Sequence, residues 1–283
     1  MMNNQPYFTK SAAALLLFFA GCGAEVGNAG TNDAETGGTP ARREVVIGPA
    51  QATENGSKTE PSVANDSPEA FGEAYLMGKF NPIKHPDFVP VGKPYTDRPG
   101  MFLRREAFEA FKKMWDAAKT DGIQLRIISS TRTFLQQKAI WEAKWARFAK
   151  EKPAPEARAK KIMEFSAMPG ASRHHWGTDM DLNDLNNPAF EQNGKYAGVY
   201  EWLKAHAHRY GFCQPYTPLS TDRPYGYKEE KWHWSYTPLS APMLESYSRQ
   251  IKDTEITGFA GSETAQKIGI VQHYVQGISP ICR

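Results

Sequence analysis

A sharp change of composition near residue 70 sets the main limit on how this chain can fold. Residues 23–70 are rich in Gly, Thr, Asn, Glu and Pro and contain few large apolar side chains, whereas aromatic and apolar residues are frequent from Phe71 onward. A segment of the first kind cannot bury enough apolar surface to offset the entropy lost on ordering. We therefore expect a tether over residues 23–70 and a globular domain after it.

The first 22 residues have the pattern of an export signal. Lys10 precedes the apolar run SAAALLLFFA, which is shorter than the roughly 20 residues that span a bilayer and is typical of a signal peptide. Small residues stand directly before Cys22, as in a bacterial lipoprotein signal, although Phe19 occupies a position where leucine is usual. The pattern predicts a lipid anchor on Cys22, and the alternative is an ordinary cleaved signal with a cysteine nearby. Either reading predicts export, and the anchor predicts a place in the bacterial cell envelope that faces the periplasm or cell wall.

The charge pattern gives no indication of a nucleic-acid partner. The formal net charge is +3 for 283 residues, and the basic residues are dispersed along the chain. Nucleic-acid binding surfaces instead concentrate Lys and Arg in one patch or stripe.

Two cysteines remain after Cys22, namely Cys213 and Cys282. In an exported protein a disulfide between them can persist, and it would tie a C-terminal extension over residues 246–283 to a domain over residues 71–245. The alternative is a pair of free, buried thiols.

The periodicity of residues 71–245 predicts an α+β fold. Amphipathic or apolar helical patterns cover residues 105–122, 134–150, 155–167 and 198–211, and strand patterns cover residues 124–130, 177–183, 211–216 and 228–236. Because helices and strands do not alternate regularly, we expect a single domain with a small, mainly antiparallel sheet flanked by helices.

The segment SRHHWGTDMDL, residues 172–182, carries candidate metal ligands. Neighbouring side chains in an extended chain point apart, so His174 and His175 are not expected to bind one ion together. The alternation of the following strand places Asp179 and Asp181 on one face, and either carboxylate could reach inward. A catalytic zinc ion usually has three protein ligands, so a third ligand must come from elsewhere.

The segment EEKWHWSY, residues 229–236, supplies both a ligand and a base. Glu230 and His233 are three residues apart. A carboxylate beside a metal-activated water can take its proton and later pass it to a leaving amine. The aromatic residues Trp232, Trp234 and Tyr236 are expected to exclude water from the site.

Together these motifs resemble those of the VanY-type D-alanyl-D-alanine carboxypeptidases. The pattern S-x-H-x-x-G-x-x-x-D begins at Ser172, and E-x-W-H begins at Glu230. The segments SSTRTFLQQ, PGASRHHWGTDMD and WLKAHAHRYGF also occur in the expected order, so that the resemblance covers about residues 71–244. These proteins are zinc peptidases of the bacterial cell wall, and they share a fold with the hedgehog signalling domain.

The resemblance implies a role for each motif residue. One catalytic zinc ion would be bound by His174, Asp181 and His233. Glu230 would be the general base and acid. Arg132 would stabilise the oxyanion or hold the substrate, a task suited to a fixed guanidinium. Further contacts to the substrate are expected from Ser172, Asp179, Trp232 and Tyr236, while His175 matches no ligand position and is assigned to packing or to the rim of the site.

One residue departs from the family pattern. Alanine is common in the family at the position of Asp179. The extra carboxylate could tune the zinc ion, bind substrate or form a salt bridge, and it leaves substrate preference open.

The function implied is zinc-dependent hydrolysis of peptidoglycan stem peptides, with D-alanyl-D-alanine carboxypeptidase activity favoured. An L,D-carboxypeptidase or an endopeptidase acting on the same peptides is the alternative within the enzyme class. A lipoprotein that binds wall peptides without cutting them is the alternative outside it.

Overall fold

Four short antiparallel strands form the sheet that carries the candidate residues. The computed structural model describes residues 71–283, so the predicted signal segment, Cys22 and the tether lie outside the described residues. The strand order is β3-β4-β6-β5, and a separate hairpin pairs β1 with β2. The strands are β1 (Phe88–Val91), β2 (Met101–Arg104), β3 (Ile127–Ser129), β4 (Asp179–Leu182), β5 (Phe212–Cys213) and β6 (His233–Tyr236).

Seven α-helices surround the sheet in the described part of the chain. They are α1 (Glu73–Leu76), α2 (Arg105–Thr120), α3 (Phe134–Arg147), α4 (Pro155–Ile162), α5 (Ala197–His206), α6 (Thr237–Gln250) and α7 (Ala265–Ile268). Helix α3 begins with a capping box, in which the Thr133 side chain accepts from the Gln136 amide and the Gln136 side chain accepts from the Thr133 amide. This cap fixes the start of α3 directly after Arg132.

The two faces of the sheet differ in polarity because β4 and β6 are paired in register. Met180 lies opposite Trp234, and both side chains are buried on one face. This face packs against a core that includes Phe111 of α2 and Leu203 of α5. The neighbouring positions of the same strands point to the other face and are polar.

A second core lies around helices α3, α4 and α6 and extends into the C-terminal segment. It includes Trp141, Ile162 and Tyr247, and also Ile270 and Ile278, which follow α6 in the chain. The predicted boundary at residues 245/246 falls inside α6. Residues 246–283 are therefore part of the domain core and not an extension added to it.

The structure joins Cys213 and Cys282 by a disulfide. Cys213 belongs to β5, next to the central strand β6. The bond therefore links the last residues of the chain to the sheet that carries the candidate site.

The predicted fold class is confirmed, and most predicted elements occur with shorter bounds. The predicted helix over residues 155–167 ends at Ile162, and the predicted strand over residues 228–236 begins at His233. The hairpin of β1 and β2 was not predicted, because its strands are four residues long and β1 contains Pro90.

Within residues 71–283, no helix combines the length and the apolar character needed to cross a lipid bilayer.

If the C-terminal segment is part of the core, its buried and exposed isoleucines will differ in their effect on stability. Ile270 is 0% exposed and Ile281 is 71% exposed. We expect Ile270→Ala to lower the free energy of unfolding by about 2–4 kcal/mol, and Ile281→Ala to lower it by less than about 0.5 kcal/mol. Urea unfolding of both variants checks this, and equal effects would contradict the assignment of the segment to the core.

Candidate metal centre

Strand pairing brings two of the candidate ligands together. Asp181 of β4 lies directly opposite His233 of β6, and Asp179 lies opposite Ser235. Side chains of directly opposed residues in an antiparallel pair lie on the same face and in contact. The polar face of the sheet therefore carries all four of these side chains.

His174 reaches the same place from the short 3₁₀ helix Arg173–Trp176 before β4. Gly177 ends this helix with φ 76°, a conformation that favours glycine. A Cβ atom on Gly177 would lie 2.4 Å from the ring of Phe88. Glycine at this position thus allows the chain to turn from the helix into β4 and brings His174 over Asp181.

Three potential ligand atoms converge on one point. His174 Nε2 lies 3.3 Å from Asp181 Oδ1, and His233 Nδ1 lies 3.3 Å from the same oxygen. The ligand atoms of the three residues all lie within 4.8 Å of one another, and the residues are buried.

The bonding of these atoms fits a metal ion. His174 Nε2 and Asp181 Oδ1 are buried and make no hydrogen bond to any described residue. Buried polar atoms in folded proteins nearly always have a hydrogen-bond partner. Two buried polar atoms that lie beside each other without one therefore indicate a missing partner. Two imidazoles and one carboxylate are a ligand set that zinc accepts, with a fourth position open to water or substrate.

His174 offers Nε2 to the metal position and His233 offers Nδ1. In each ring the other nitrogen makes a hydrogen bond that fixes the orientation of the ring. His174 Nδ1 lies 2.8 Å from the carbonyl oxygen of Ser130, which can only accept, so Nδ1 carries the proton and Nε2 has the free lone pair. His233 Nε2 lies 2.9 Å from Asp179 Oδ2, which leaves Nδ1 for the metal. Such outer contacts are general at histidine–metal sites.

Asp179 lies behind His233 and not in contact with the cavity, so the expectation that it binds substrate is wrong. It is 0% exposed and forms an ion pair with Arg173, whose Nε lies 2.9 Å from Oδ2. Its other oxygen accepts from the hydroxyls of Thr178 and Ser235. The extra carboxylate thus forms a salt bridge and orients a candidate ligand.

The electrostatics of the centre favour positive charge between the ligands. Burial alone would lower the pKa of His233, but contacts with Asp179, Asp181 and Glu230 raise it well above its ordinary value. Burial would raise the pKa of Asp181, but His174 and His233 hold it well below its usual range. The Asp181 carboxylate is therefore ionised, as a metal ligand must be.

Glu230 lies beside the ligand atoms, as its proposed role as a base requires. Its Oε2 is 3.2 Å from His233 Nδ1, and the residue is 5% exposed. Burial raises the pKa of Glu230, against the opposing effect of His233. A carboxyl group with a raised pKa is better suited to take and return a proton near neutral pH.

A cavity of about 40 Å³ opens in front of the ligands. The predicted residues Arg132 and Ser172 line it together with Glu230, His174 and His233. The Nε of Arg132 is buried and makes no hydrogen bond within residues 71–283. The burial of His174 lowers its pKa, and the positive charge of Arg132 lowers it further. Arg132 therefore also acts on a candidate ligand.

Trp232 and Tyr236 are not among the residues that line the cavity, and their contact with substrate stays a prediction. Strand β6 begins at His233 and alternates, so residues 232, 234 and 236 point away from the face that carries His233. Trp232 belongs to the core against α2 and α5, and Tyr236 packs against it. The period of two in the sequence already contained this information.

Residues that the sequence analysis missed form the remaining wall of the cavity. They are Phe165, Ser166, Ala167, Tyr216 and Tyr227. The first three were assigned to a helix that in fact ends at Ile162, so they are free to turn toward the site. The segment YTPLS occurs twice, and it is Tyr216 of the first copy, not Tyr236 of the second, whose ring packs 4.8 Å from the ring of His233.

His175 lies in the interior and joins two segments of the site. Its Nδ1–H donates to the carbonyl oxygen of Arg132 at 2.6 Å, and its Nε2 accepts from the Gly170 amide at 3.1 Å. Burial lowers the pKa of His175 to about 3, so the ring is neutral and can make both bonds. His175 thereby holds the Arg132 segment against the loop that leads to Ser172.

Comparison with known proteins points to one family. Residues 100–239 match the family model described as VanY, D-alanyl-D-alanine carboxypeptidase. The chain is 31% identical to YodJ of Bacillus subtilis over 169 residues, which are 59% of this chain and 56% of YodJ. It is 33% identical to a D-alanyl-D-alanine carboxypeptidase of Enterococcus faecalis over 129 residues, which are 45% of this chain and 46% of that protein. The chain thus spans about half the length of these two curated relatives.

Among solved structures, VanYB in complex with D-alanine-D-alanine is similar. The sequence identity is 25%, the match covers 56% of this chain and 88% of that chain, and the TM-score is 0.42.

The position of Asp179 leads to a prediction for metal affinity. We expect Asp179→Asn to weaken zinc binding by about 10- to 100-fold, because a neutral amide no longer holds the His233 ring as the carboxylate does. Competition with a chelator of known affinity measures the change. Asp222→Asn, at an exposed residue, is the control and is expected to bind zinc as the wild type does. Circular dichroism establishes that both variants are folded, and unchanged affinity in folded Asp179→Asn would contradict the role of Asp179.

Proposed function

We propose that this chain, whose residues 100–239 belong to the VanY family, hydrolyses the stem peptides of peptidoglycan as a zinc-dependent D-alanyl-D-alanine carboxypeptidase. The observation that carries the proposal is the convergence of His174, Asp181 and His233 on one point beside Glu230. Binding alone needs no base at that position.

In the proposed reaction the protein positions the substrate and moves one proton. Zinc, held by the three ligands, supplies Lewis-acid chemistry that polarises a carbonyl and acidifies water. Glu230 accepts the proton of the attacking water, and the water oxygen bonds to the carbonyl carbon. Glu230 then donates this proton to the amine nitrogen as the C–N bond breaks. The products are a shortened peptide acid and a free amino acid.

Arg132 is suited to the charge that develops during this step. Its guanidinium lines the cavity with Nε free of any partner among the described residues. A preorganised donor aimed at a developing oxyanion lowers the barrier because it needs no reorganisation during the reaction. The rings of Tyr216 and Tyr227 line the same cavity.

The substrate assignment rests on three supports. The family is described by its action on D-alanyl-D-alanine. The cavity is small, which suits a small terminal side chain such as that of alanine. The apolar segment before Cys22 supports export to the cell envelope, where the tether predicted over residues 23–70 would let a lipid-anchored domain reach the wall.

Products identified by mass test the reaction and the role of Glu230 together. The purified, zinc-loaded chain is incubated with a stem pentapeptide that ends in D-Ala-D-Ala and with the matching tetrapeptide. We expect the pentapeptide to lose one alanine, and Glu230→Ala to lower kcat by about 10²- to 10⁴-fold with zinc still bound. Glu229→Ala is the matched control, since Glu229 is the adjacent carboxylate and does not line the cavity.

The other outcomes identify the rival functions. Cleavage of the tetrapeptide alone would assign L,D-carboxypeptidase activity, and cleavage at an internal bond would assign endopeptidase activity. Full activity in Glu230→Ala would contradict the mechanism. Peptide binding by the zinc-loaded wild type without cleavage of either peptide would favour a binding lipoprotein.

A further inference from the structure

Lys144 of α3 is a half-buried cation without an ion-pair partner in the described part of the chain. Its Nζ donates a hydrogen bond to Ser166 Oγ. No carboxylate of residues 71–283 lies within ion-pair distance of it. Burial lowers the pKa of Lys144, and the positive charges of Arg147 and Arg132 lower it further, while the charge of Glu230 has an opposing effect. Buried charges in proteins are usually paired, whereas this ammonium group has no counter-ion among residues 71–283.

Ser166 connects that cation to the cavity. Ser166 lines the cavity beside Glu230 and Arg132, and its exposed fraction is 9%. A hydroxyl has one proton to donate in addition to its acceptor lone pairs. Because Oγ accepts from Lys144 and no residue described in the structure accepts from it, the Ser166 proton remains for a group inside the cavity. Donation from the ammonium polarises the hydroxyl and makes it a better donor to an anion.

The cavity is lined by groups of both charges. Glu230 lies beside the metal ligands. Ser166, which accepts from Lys144, lines the same cavity, and Lys144 lies within electrostatic reach of both Arg132 and Glu230. A small anionic group in the cavity would be stabilised where it contacts Ser166, because Lys144 and Arg132 are both cationic.

We propose that Ser166 and Lys144 receive the C-terminal carboxylate of the peptide substrate, an inference that rests on the proposed function. The Ser166 hydroxyl donates to the carboxylate, and Lys144 supplies the counter-ion from behind. Arg132 then remains available to the carbonyl oxygen of the bond that is cut. Ser166 and Lys144 are specificity-determining residues, because they select a chain end over an internal position, where a neutral amide would replace the carboxylate.

The test compares one stem peptide as its free acid and as its C-terminal amide. We expect the wild type to prefer the acid in kcat/KM, and Lys144→Met to lower kcat/KM for the acid by about 10- to 100-fold, as expected for loss of a charge-assisted contact. The loss should lie mainly in KM, and kcat/KM for the amide should change little. Arg147→Met removes the same charge from an exposed position of the same helix and should keep the wild-type preference.

Ser166→Ala provides a second variant in case Lys144→Met does not fold. It removes only the hydroxyl. The ratio of kcat/KM for the acid to kcat/KM for the amide should fall, as it should in Lys144→Met. A folded Lys144→Met or Ser166→Ala that keeps the wild-type preference would overturn the inference, as would a wild type that cleaves acid and amide equally well. A wild type that cleaves neither peptide would instead overturn the proposed function on which the inference rests, and the two failures are thereby distinguished.

Discussion

The pairing of β4 with β6 is the interaction on which the site depends. It places Asp181 opposite His233 and Asp179 opposite Ser235. One strand register therefore sets the positions of two metal ligands, Asp181 and His233, and of the two residues that support them, Asp179 and Ser235. A shift of β4 by one residue against β6 would turn Asp179 and Asp181 into the apolar core and bring Met180 to the site. The hydrophobic core on the other face of the sheet therefore fixes the geometry of the metal centre, because it accepts only one register.

The contacts behind the ligands complete this arrangement. The Ser130 carbonyl selects the Nε2 lone pair of His174, and Asp179 selects the Nδ1 lone pair of His233. Arg173 neutralises Asp179 within the protein interior. The outcome is a centre whose ligand atoms are oriented before any ion binds, and in which His174 Nε2 and Asp181 Oδ1 make no hydrogen bond to a described residue.

The sequence predicted the parts of this site that depend on local spacing. The alternation of GTDMDLN placed Asp179 and Asp181 on one face, and the spacing of Glu230 and His233 placed a base beside a ligand. Alternation alone could not decide between the two aspartates, and the assignment of Asp181 came from the family resemblance. The choice depends on the contacts of Asp179 with Arg173, in the turn before β4, and with Ser235 on β6. Ser166 and Tyr216 come from irregular segments whose path is set by tertiary packing, and no periodic pattern indicates them. The integration of residues 246–283 into the core was missed for the same reason.

Anomalous diffraction from crystals of the zinc-loaded protein, recorded at the zinc absorption edge, tests the central claim most directly. The account predicts a single strong peak at about 2.0–2.2 Å from each of three atoms, His174 Nε2, Asp181 Oδ1 and His233 Nδ1, with Asp179 outside this set. A peak bound by Asp179 in place of Asp181, or zinc bound only at other residues, would contradict it.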